Sequence, residues 1–306
     1  MKIVALAGGV GGAKLADGLA QILPPENLTV VVNTGDDFEH LGLAISPDLD
    51  TVCYTLAGLA NPQTGWGRRG ESFRTLDTLQ ELGGPDWFHI GDLDLATHLE
   101  RTRRLHEGQS LSRVTHDFCK AWGVQPAVLP MSDQPVHTIV DTAEFGELAF
   151  QEYFVHRLCQ PRVRGFRFAG IEDARPAPGV VQALAAADAV VICPSNPWVS
   201  INPILNVPDI RPAVAAKPVV AVSPIIGGQT VKGPAAKMYA ELGIQPSALA
   251  VANQYGNLLS GFVLDDVDRE LARELAIRTL TTNTLMKTRA NRRRLAQDVL
   301  NLIQTL

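Results

Sequence analysis

The sequence predicts an α/β protein with a Rossmann-like, doubly wound and mostly parallel sheet. The chain opens with an apolar run, residues 2–7, and a glycine-rich loop separates this run from a segment of helical spacing. A second β-branched run follows at 28–32. After residue 178 the chain alternates between helix-like and strand-like segments, and the strand-like ones are apolar on successive residues, as strands covered on both faces are.

The individual elements follow from this periodicity. In the second half we predict helices over 180–187, 210–216 and 235–242, strands over 189–193 and 218–223, and a closing amphipathic helix over 286–306. Strands are also predicted over 127–131, 137–140 and 148–154. Between 66 and 125 the helix-period segments follow one another without a convincing strand. We therefore expect a single Rossmann-like domain over 1–306, with 66–125 as a helical insertion over the C-terminal edge of the sheet.

Composition excludes several classes of protein. Apolar residues make up 46% and charged residues 19% of the chain, which is an ordinary globular balance. A net charge of −5 gives no electrostatic reason to expect a nucleic-acid or membrane-surface partner. The four cysteines show no CxxC pair, and no apolar run is long enough for a membrane span. We expect a cytoplasmic protein with reduced thiols.

The loop after the first strand is a candidate phosphate site. Gly9, Gly11 and Gly12 let backbone amides approach a phosphate, and Val10 lies among them. Lys14 adds a positive charge one turn into the helix. The loop is neither a P-loop nor a complete dinucleotide fingerprint, because Lys14 stands where the third glycine would fall. The alternative is a tight strand-to-helix turn that binds nothing.

Acidic residues cluster after the second strand and at the next helix start. Asp36 and Asp37 follow the strand, and Asp48 and Asp50 follow about a dozen residues later. These carboxylates are candidates to hold Mg²⁺ or to accept a proton from a substrate hydroxyl. They are equally compatible with turn formation and helix capping. Because carboxylates beside a phosphate repel it unless a divalent cation lies between them, the pattern favours magnesium.

Two later loops supply polar groups at the same edge of the sheet. Ser195, Asn196 and Ser200 follow a strong strand and offer donors and acceptors suited to a base or ribose. Gly227 and Gly228 follow the next strand in a similar loop. The alternative for the first loop is a proline-rich connection without a ligand. The segment 91–101 further places acids, a histidine and an arginine at a helix N-terminus, where a structural role is the alternative.

The ordered set of these motifs resembles the 2-phospho-L-lactate transferase (CofD) family. The similarity runs nearly end to end. Its motifs are the glycine loop, Asn33-Thr34-Gly35-Asp36-Asp37, Pro47-Asp48-Leu49-Asp50-Thr51, Ala96-Thr97-His98, Pro194-Ser195-Asn196-Pro197 and Gly227-Gly228.

The resemblance implies a magnesium-dependent, homodimeric enzyme of coenzyme F-420 biosynthesis. Such enzymes move a phospholactyl or phosphoenolpyruvyl-type group from a guanosine diphosphate conjugate to the deazaflavin Fo and release GMP. On this basis Asp36 and Asp50 are the catalytic and metal-binding residues, and Asp50, His89, Thr97 and His98 bind Fo. The implied nucleotide and phosphate site is Gly9, Val10, Gly11, Gly12, Lys14, Ser195, Asn196, Ser200, Gly227 and Gly228.

Two positions depart from the family's pattern, and two other functions compete with it. Leu93 stands where members commonly carry Arg or Lys and cannot bind an anion, and Asn283 stands in place of Asp. The first competitor is a nucleotide-sugar-binding regulator of a sister group linked to gluconeogenesis, which would share the glycine loop without transferring a group. The second is an NAD(P)-dependent oxidoreductase, which the incomplete glycine fingerprint disfavours.

Overall fold

The computed structural model describes all residues from 1 to 306. The strands are β1 (Ile3–Ala7), β2 (Leu28–Val32), β3 (Phe38–His40), β4 (Leu43–Ile45), β5 (Ala127–Pro130), β6 (His137–Thr142), β7 (Gly146–Ala149), β8 (Val163–Ala169), β9 (Ala189–Ile192), β10 (Val219–Val222), β11 (Ile225–Ile226), β12 (Gln229–Thr230), β13 (Gly261–Leu264) and β14 (Arg278–Thr281). The α-helices are α1 (Gly9–Ala20), α2 (Pro47–Leu56), α3 (Arg74–Glu81), α4 (Asp92–His106), α5 (Leu111–Ala121), α6 (Val180–Ala186), α7 (Asn202–Asn206), α8 (Ile210–Ala215), α9 (Ala235–Glu241), α10 (Ala248–Tyr255) and α11 (Arg289–Ile303). None of the helices has both the length and the hydropathy that a membrane span needs.

A seven-stranded sheet forms the centre of the molecule, in the order β14-β13-β10-β9-β1-β2-β5. Every neighbouring pair in it is parallel. The chain first winds outward from β1 through β2 to β5, and then returns to β9 on the other side of β1 and winds the opposite way. The predicted doubly wound fold is therefore confirmed. Its switch point lies between β1 and β9, where such sheets bind their ligands.

The strand β1 shows why the sheet is covered on both faces. Its side chains alternate: Ile3, Ala5 and Ala7 lie in one buried cluster, with apolar residues of α1, α2 and α11. Val4 and Leu6 lie in a second cluster, with residues of α6, α8 and α10. All five residues are buried, so the strand needs apolar side chains at every position.

A second, three-stranded antiparallel sheet in the order β7-β6-β8 was not predicted. Two of its strands fall near predicted ones, but the expected strand over 148–154 is wrong beyond Ala149. There the chain turns into a π-helical segment, Glu152–His156. Strands β13 and β14 were also missed. Both are only four residues long, and β14 is a half-buried edge strand with two threonines and an arginine, which gives no apolar signal.

The three helices of the predicted insertion do not all lie in the same place. α4 packs against β4, whereas α5 packs against the sheet strand β5 and contributes Cys119 to a main core cluster. An isolated antiparallel bridge between Ala60 and Arg68 ties down the segment that leads into these helices. The division of the chain into one domain with an insertion over 66–125 stays a prediction.

Candidate active site

The start of α1 faces a carboxylate from α2. Gly9 is the first helical residue and has a φ of +60°, a conformation that favours glycine. A Cβ on Gly8 would lie 2.5 Å from Oδ2 of Asp48, and one on Gly9 would lie 3.6 Å from its Oδ1. Two glycines thus allow the Asp48 carboxylate to touch the loop in which a phosphate was expected.

The other two glycines of the loop are needed for packing. A Cβ on Gly11 would collide with the carbonyl oxygen of Pro194, and one on Gly12 would lie 2.5 Å from Ser195 Oγ. The Ser195 hydroxyl donates to the Gly8 carbonyl at 2.8 Å and accepts from the Gly8 N–H at 3.1 Å. The loops after β1 and β9 are therefore joined directly, and the side chain of Ser195 is engaged inside the protein.

The remaining predicted nucleotide residues are also largely engaged. Asn196 caps the turn that follows it, because its Oδ1 accepts from the Trp198 N–H at 3.0 Å. Ser200 is buried against the Gly8 backbone. Gly227 and Gly228 form the tip of the β11–β12 hairpin, both at positive φ. The N–H of Gly227 donates to the carboxylate of Asp268 at 3.0 Å, so this group is not free for a ligand.

Lys14 and a lysine from a distant segment make the other side of the loop positive. Burial lowers the pKa of Lys14, the charges of Arg292 and Lys232 lower it further, and no acidic group opposes the shift. The ammonium of Lys232 donates to the Thr64 carbonyl. A bound anion would relieve this accumulation of positive charge.

Asn33 connects the loops after β2 and β9 with α2. Its amide nitrogen donates to Asp48 Oδ2 at 2.9 Å and to the Val199 carbonyl at 3.2 Å, and its Oδ1 accepts from the Gly35 N–H at 2.9 Å. The side chain is fully buried. Asn33 therefore sets the position of Asp48 beside the glycine loop.

The acidic groups after β2 are buried close together, which disfavours their charged forms. Burial raises the pKa of Asp36 well above its usual range, and repulsion from Asp48 and Asp37 adds to this. Burial also raises the pKa of Asp37 well above its usual range and that of Asp48 to about 6. Oδ1 of Asp36 and Oδ1 of Asp37 are buried without a hydrogen-bond partner. Within the protein, the positive charge of Arg101 acts on Asp37, and a bound cation would offset the rest of this repulsion.

Asp50 lies in a separate network with a buried arginine. The guanidinium of Arg101 donates to Asp50 Oδ1, and another of its nitrogens lies 3.2 Å from Nδ1 of His98. Because an arginine has no acceptor, Nδ1 must accept and the ring proton lies on Nε2. Burial raises the pKa of Asp50, against the opposing charge of Arg101. Asp50 Oδ2 remains without a partner.

The acceptor residues predicted from the resemblance converge on Asp94. His98 Nε2 lies 3.5 Å from Asp94 Oδ2, and the Tyr54 hydroxyl donates to Asp94 Oδ1 at 2.6 Å and lies 2.7 Å from Thr97 Oγ1. His89 and Asp94 line one small cavity of about 40 Å³. The structure thus brings His89, Thr97 and His98 to one neighbourhood, which also contains Asp50 through its contact with His98.

Of the two groups of candidate metal ligands, the carboxylates after β2 fit a magnesium ion better than the group that contains His98. Asp50, Asp94 and His98 offer ligand atoms within 4.8 Å of one another. However, Arg101 occupies one oxygen of Asp50 and Nδ1 of His98, and its charge repels a cation there. The unpartnered oxygens of Asp36 and Asp37 are hard ligands of the kind that Mg²⁺ prefers, and Asp36 has no cation of the protein acting on it. These residues therefore fit the metal implied by the resemblance.

The roles of some residues of this site were not predicted from the sequence. Arg101 was noted only as the arginine of the segment 91–101, and it is the largest fully buried side chain. Tyr54 and Asp94 were not singled out. Their spacing holds a weak signal, because Asp94, His98 and Arg101 recur at helical intervals of four and three and therefore share one face of α4.

Fold and site together define an α/β protein with a ligand crevice at the switch point of a parallel sheet. The crevice combines a glycine loop, a buried acidic cluster and an adjoining cavity. Sequence comparisons narrow this class. The family model of the 2-phospho-L-lactate transferase CofD matches residues 3–304, and the chain belongs to this family of transferases.

Individual relatives agree with the family match over most of the chain. A phosphoenolpyruvate transferase from Streptomyces griseus is 46% identical over 282 residues, which cover 90% of this chain and 89% of that protein. A 2-phospho-L-lactate transferase from Methanosarcina acetivorans is 41% identical over 307 residues, 99% of this chain and 100% of that protein. A crystal structure of a UPF0052 family member from Bacillus halodurans superimposes with a TM-score of 0.65 at 15% identity, covering 98% of both chains, and shows the same fold.

Proposed function

We propose that this protein transfers a phospholactyl or phosphoenolpyruvyl-type group from a guanosine diphosphate conjugate to the deazaflavin Fo, with release of GMP. The observation that carries the proposal is the contact between the Asp48 carboxylate and the backbone at Gly8 and Gly9. A helix N-terminus attracts phosphate, but a carboxylate at the same place repels it unless a divalent cation lies between them. The names of the relatives, phosphoenolpyruvate transferase and 2-phospho-L-lactate transferase, support the class of group transferred.

The donor belongs on the glycine-loop side. The backbone from Gly9 to Gly12 and the ammonium of Lys14 bind its phosphates in this proposal. The guanosine end lies toward the loop after β9 and the hairpin tip at Gly228. The side chains of Ser195 and Asn196, the Ser195 N–H and the Asn196 carbonyl already bond within the protein, so the Ser195 carbonyl and the Asn196 N–H are the groups left for the nucleotide.

Asp36 and Asp37, together with Asp48 beside the glycine loop, are the residues that would hold Mg²⁺ next to these phosphates. When bound, the ion would offset the charge of the diphosphate and polarise the phosphorus that is attacked. Asp50 was predicted as a second metal ligand; we instead assign its unpartnered Oδ2 to the acceptor, because Arg101 holds its other oxygen.

In the reaction, a ribityl hydroxyl of Fo attacks the phosphorus that carries the acid, and the bond from this phosphorus to the oxygen of GMP breaks. The hydroxyl proton passes to Asp50 Oδ2. A carboxylate whose pKa burial has raised is a stronger base than one in water, which suits this step. His89, Thr97 and His98 would contact the deazaflavin ring.

Incubation with Mg²⁺, Fo and each guanosine diphosphate conjugate, followed by mass determination of the deazaflavin product, tests the proposal. We expect a phosphodiester of Fo with at least one of the lactyl and enolpyruvyl donors. Failure of both donors in the presence of Mg²⁺ would contradict it. Membership of a transferase family favours this function over a regulator or an oxidoreductase. A homodimeric state in the cytoplasm stays a prediction, and sedimentation tests the dimer.

A further inference from the structure

Arg68 is a cation without a partner beside the proposed site. Its guanidinium carbon lies 5.5 Å from the centroid of the Tyr54 ring, and its Nε is buried without a hydrogen-bond partner. The nearby carboxylate of Glu71 does not pair with it. Glu71 instead accepts from the backbone N–H groups of Leu93 and Asp94, both at 2.8 Å. A planar group with five N–H donors is therefore left free.

The free guanidinium lies in the wall of a cavity. Arg68 lines this small cavity of about 40 Å³ together with His89, Asp94 and Glu71, and the aromatic side chains of Trp66 and Phe73 form another part of the wall. Both aromatic residues are unusually exposed for their size. An anion in this cavity would meet an arginine that forms no salt bridge with a carboxylate of the protein, although the charge of Glu71 acts on it from the same wall.

The position of this cavity connects the two halves of the site. Gly65, three residues before Arg68, packs on Val10 of the glycine loop, since a Cβ on Gly65 would lie 2.7 Å from Val10 Cγ1. On its other side the cavity reaches Asp94, which contacts His98 in the network of Asp50. Arg68 therefore lies between the donor phosphates and the acceptor.

We propose that Arg68 binds the carboxylate of the acid that is transferred. This inference rests on the proposed function. In both the lactyl and the enolpyruvyl donor, the carboxylate is attached to the carbon that bears the phosphate oxygen, so it must lie close to the reacting phosphorus. A guanidinium matches a carboxylate through two parallel hydrogen bonds, which a lysine cannot form. Arg68 thereby selects a phosphorylated 2-hydroxy or enol acid over GDP itself.

Calorimetric titration of the full chain with Mg²⁺ present tests this assignment, with GDP and a lactyl donor conjugate as separate ligands. Arg68→Met should weaken donor binding about ten- to a hundredfold, the range of a charge-assisted pair, and leave GDP binding within about twofold. Arg68→Lys should weaken donor binding by an intermediate amount, because lysine keeps the positive charge but cannot form the two parallel hydrogen bonds. Arg69→Met is the matched control: the neighbouring arginine is exposed and donates to the Gly58 carbonyl.

The outcomes separate the inference from the proposed function. Equal weakening of GDP and donor by Arg68→Met would place the arginine on the diphosphate and overturn the inference, as would unchanged donor binding. If Arg68→Met fails to fold, unchanged donor binding by Arg68→Lys overturns it in the same way. If the wild-type protein forms product but these variants bind the donor normally, the inference is contradicted and the proposed function is not. A wild-type protein that binds neither ligand and forms no product contradicts both.

Discussion

Arg101 and Asp50 form an ion pair in the interior, and both side chains are less than a tenth exposed. Asp50 is therefore not a helix cap: α2 has Ser46 at its N-cap position, and no side chain caps it. The pair gives Asp50 a structural role in addition to the proposed catalytic one. Since a base and a structural partner respond differently to substitution, the two roles can be separated.

Asp50→Asn should lower both the turnover number and the stability. Loss of the base should reduce kcat at saturating Fo and Mg²⁺ by at least about a hundredfold. Loss of the charge leaves Arg101 buried without a partner, which should reduce the free energy of unfolding by about 3–5 kcal/mol. Steady-state kinetics and urea denaturation measure the two effects.

Arg101→Gln is the control for that experiment. It breaks the same ion pair from the other side and should cost similar stability, but it leaves the carboxylate of Asp50 in place. We therefore expect a smaller loss of kcat than in Asp50→Asn. If the two variants lose activity in equal measure, Asp50 acts through structure and not as the base.

Lys14→Met should weaken donor binding without destabilising the protein. The folded state depresses the pKa of Lys14, so its charge is unfavourable there and its removal should leave the melting temperature unchanged or higher. The KM for the donor should rise about tenfold, as for the loss of one charge-assisted contact. Lys237→Met is a suitable control, because that lysine pairs with Glu241. A rise in KM no larger than the control's would remove Lys14 from the phosphate site.

The acidic cluster predicts an unusual pH dependence for the metal-free protein. Burial raises the pKa of Asp48 from its ordinary value of 3.8 to about 6. The folded state then holds more protons than the unfolded state in this window, so the free energy of unfolding should fall as the pH rises from about 4 to about 6.

Mg²⁺ should reverse that trend, because it binds the ionised carboxylates. The increase in melting temperature caused by the ion should therefore grow across the same pH window. Asp48→Asn should flatten the metal-free slope and reduce the effect of Mg²⁺. A stabilisation by Mg²⁺ that is independent of pH would place the ion elsewhere.

Substitutions at the loop glycines should differ in their effects on ligand binding and on stability. A phosphate role at Gly11 would predict that Gly11→Val weakens donor binding far more than Fo binding. The structure instead predicts loss of both, with a clear drop in melting temperature, because the side chain collides with the Pro194 carbonyl. Gly9→Ala meets no backbone atom and carries only the strain of its positive φ, about 1–2 kcal/mol. Equal melting temperatures for Gly11→Val and wild type would refute the packing role.

Much of the fold could be predicted from the sequence because buried parallel strands leave a clear pattern. β1, β9 and β10 are apolar at every position, and each is followed by a polar loop at the same edge of the sheet. The missed strand β13 has the same pattern and was overlooked, whereas β14 has no such pattern. The edge strand β14 depends on pairing with β13 rather than on apolar side chains of its own.

The site was only partly predictable, because pairing is a tertiary property. The sequence shows acids near Asp36 and Asp50 but not that Asp48 and Asp37 repel Asp36, whereas Asp50 faces Arg101. It also cannot show that the Ser195 hydroxyl is already hydrogen-bonded to the Gly8 backbone. Polar residues in loops look equally available until their partners are known.

The most direct test of the account is the ratio of GMP released to Fo phosphodiester formed, followed over time with donor, Fo and Mg²⁺ and again after chelation by EDTA. We predict a one-to-one ratio with Mg²⁺, no formation of either product with EDTA, and recovery of both when Mg²⁺ is restored. Release of GMP without the deazaflavin product, or full activity in metal-free solution, would contradict the account.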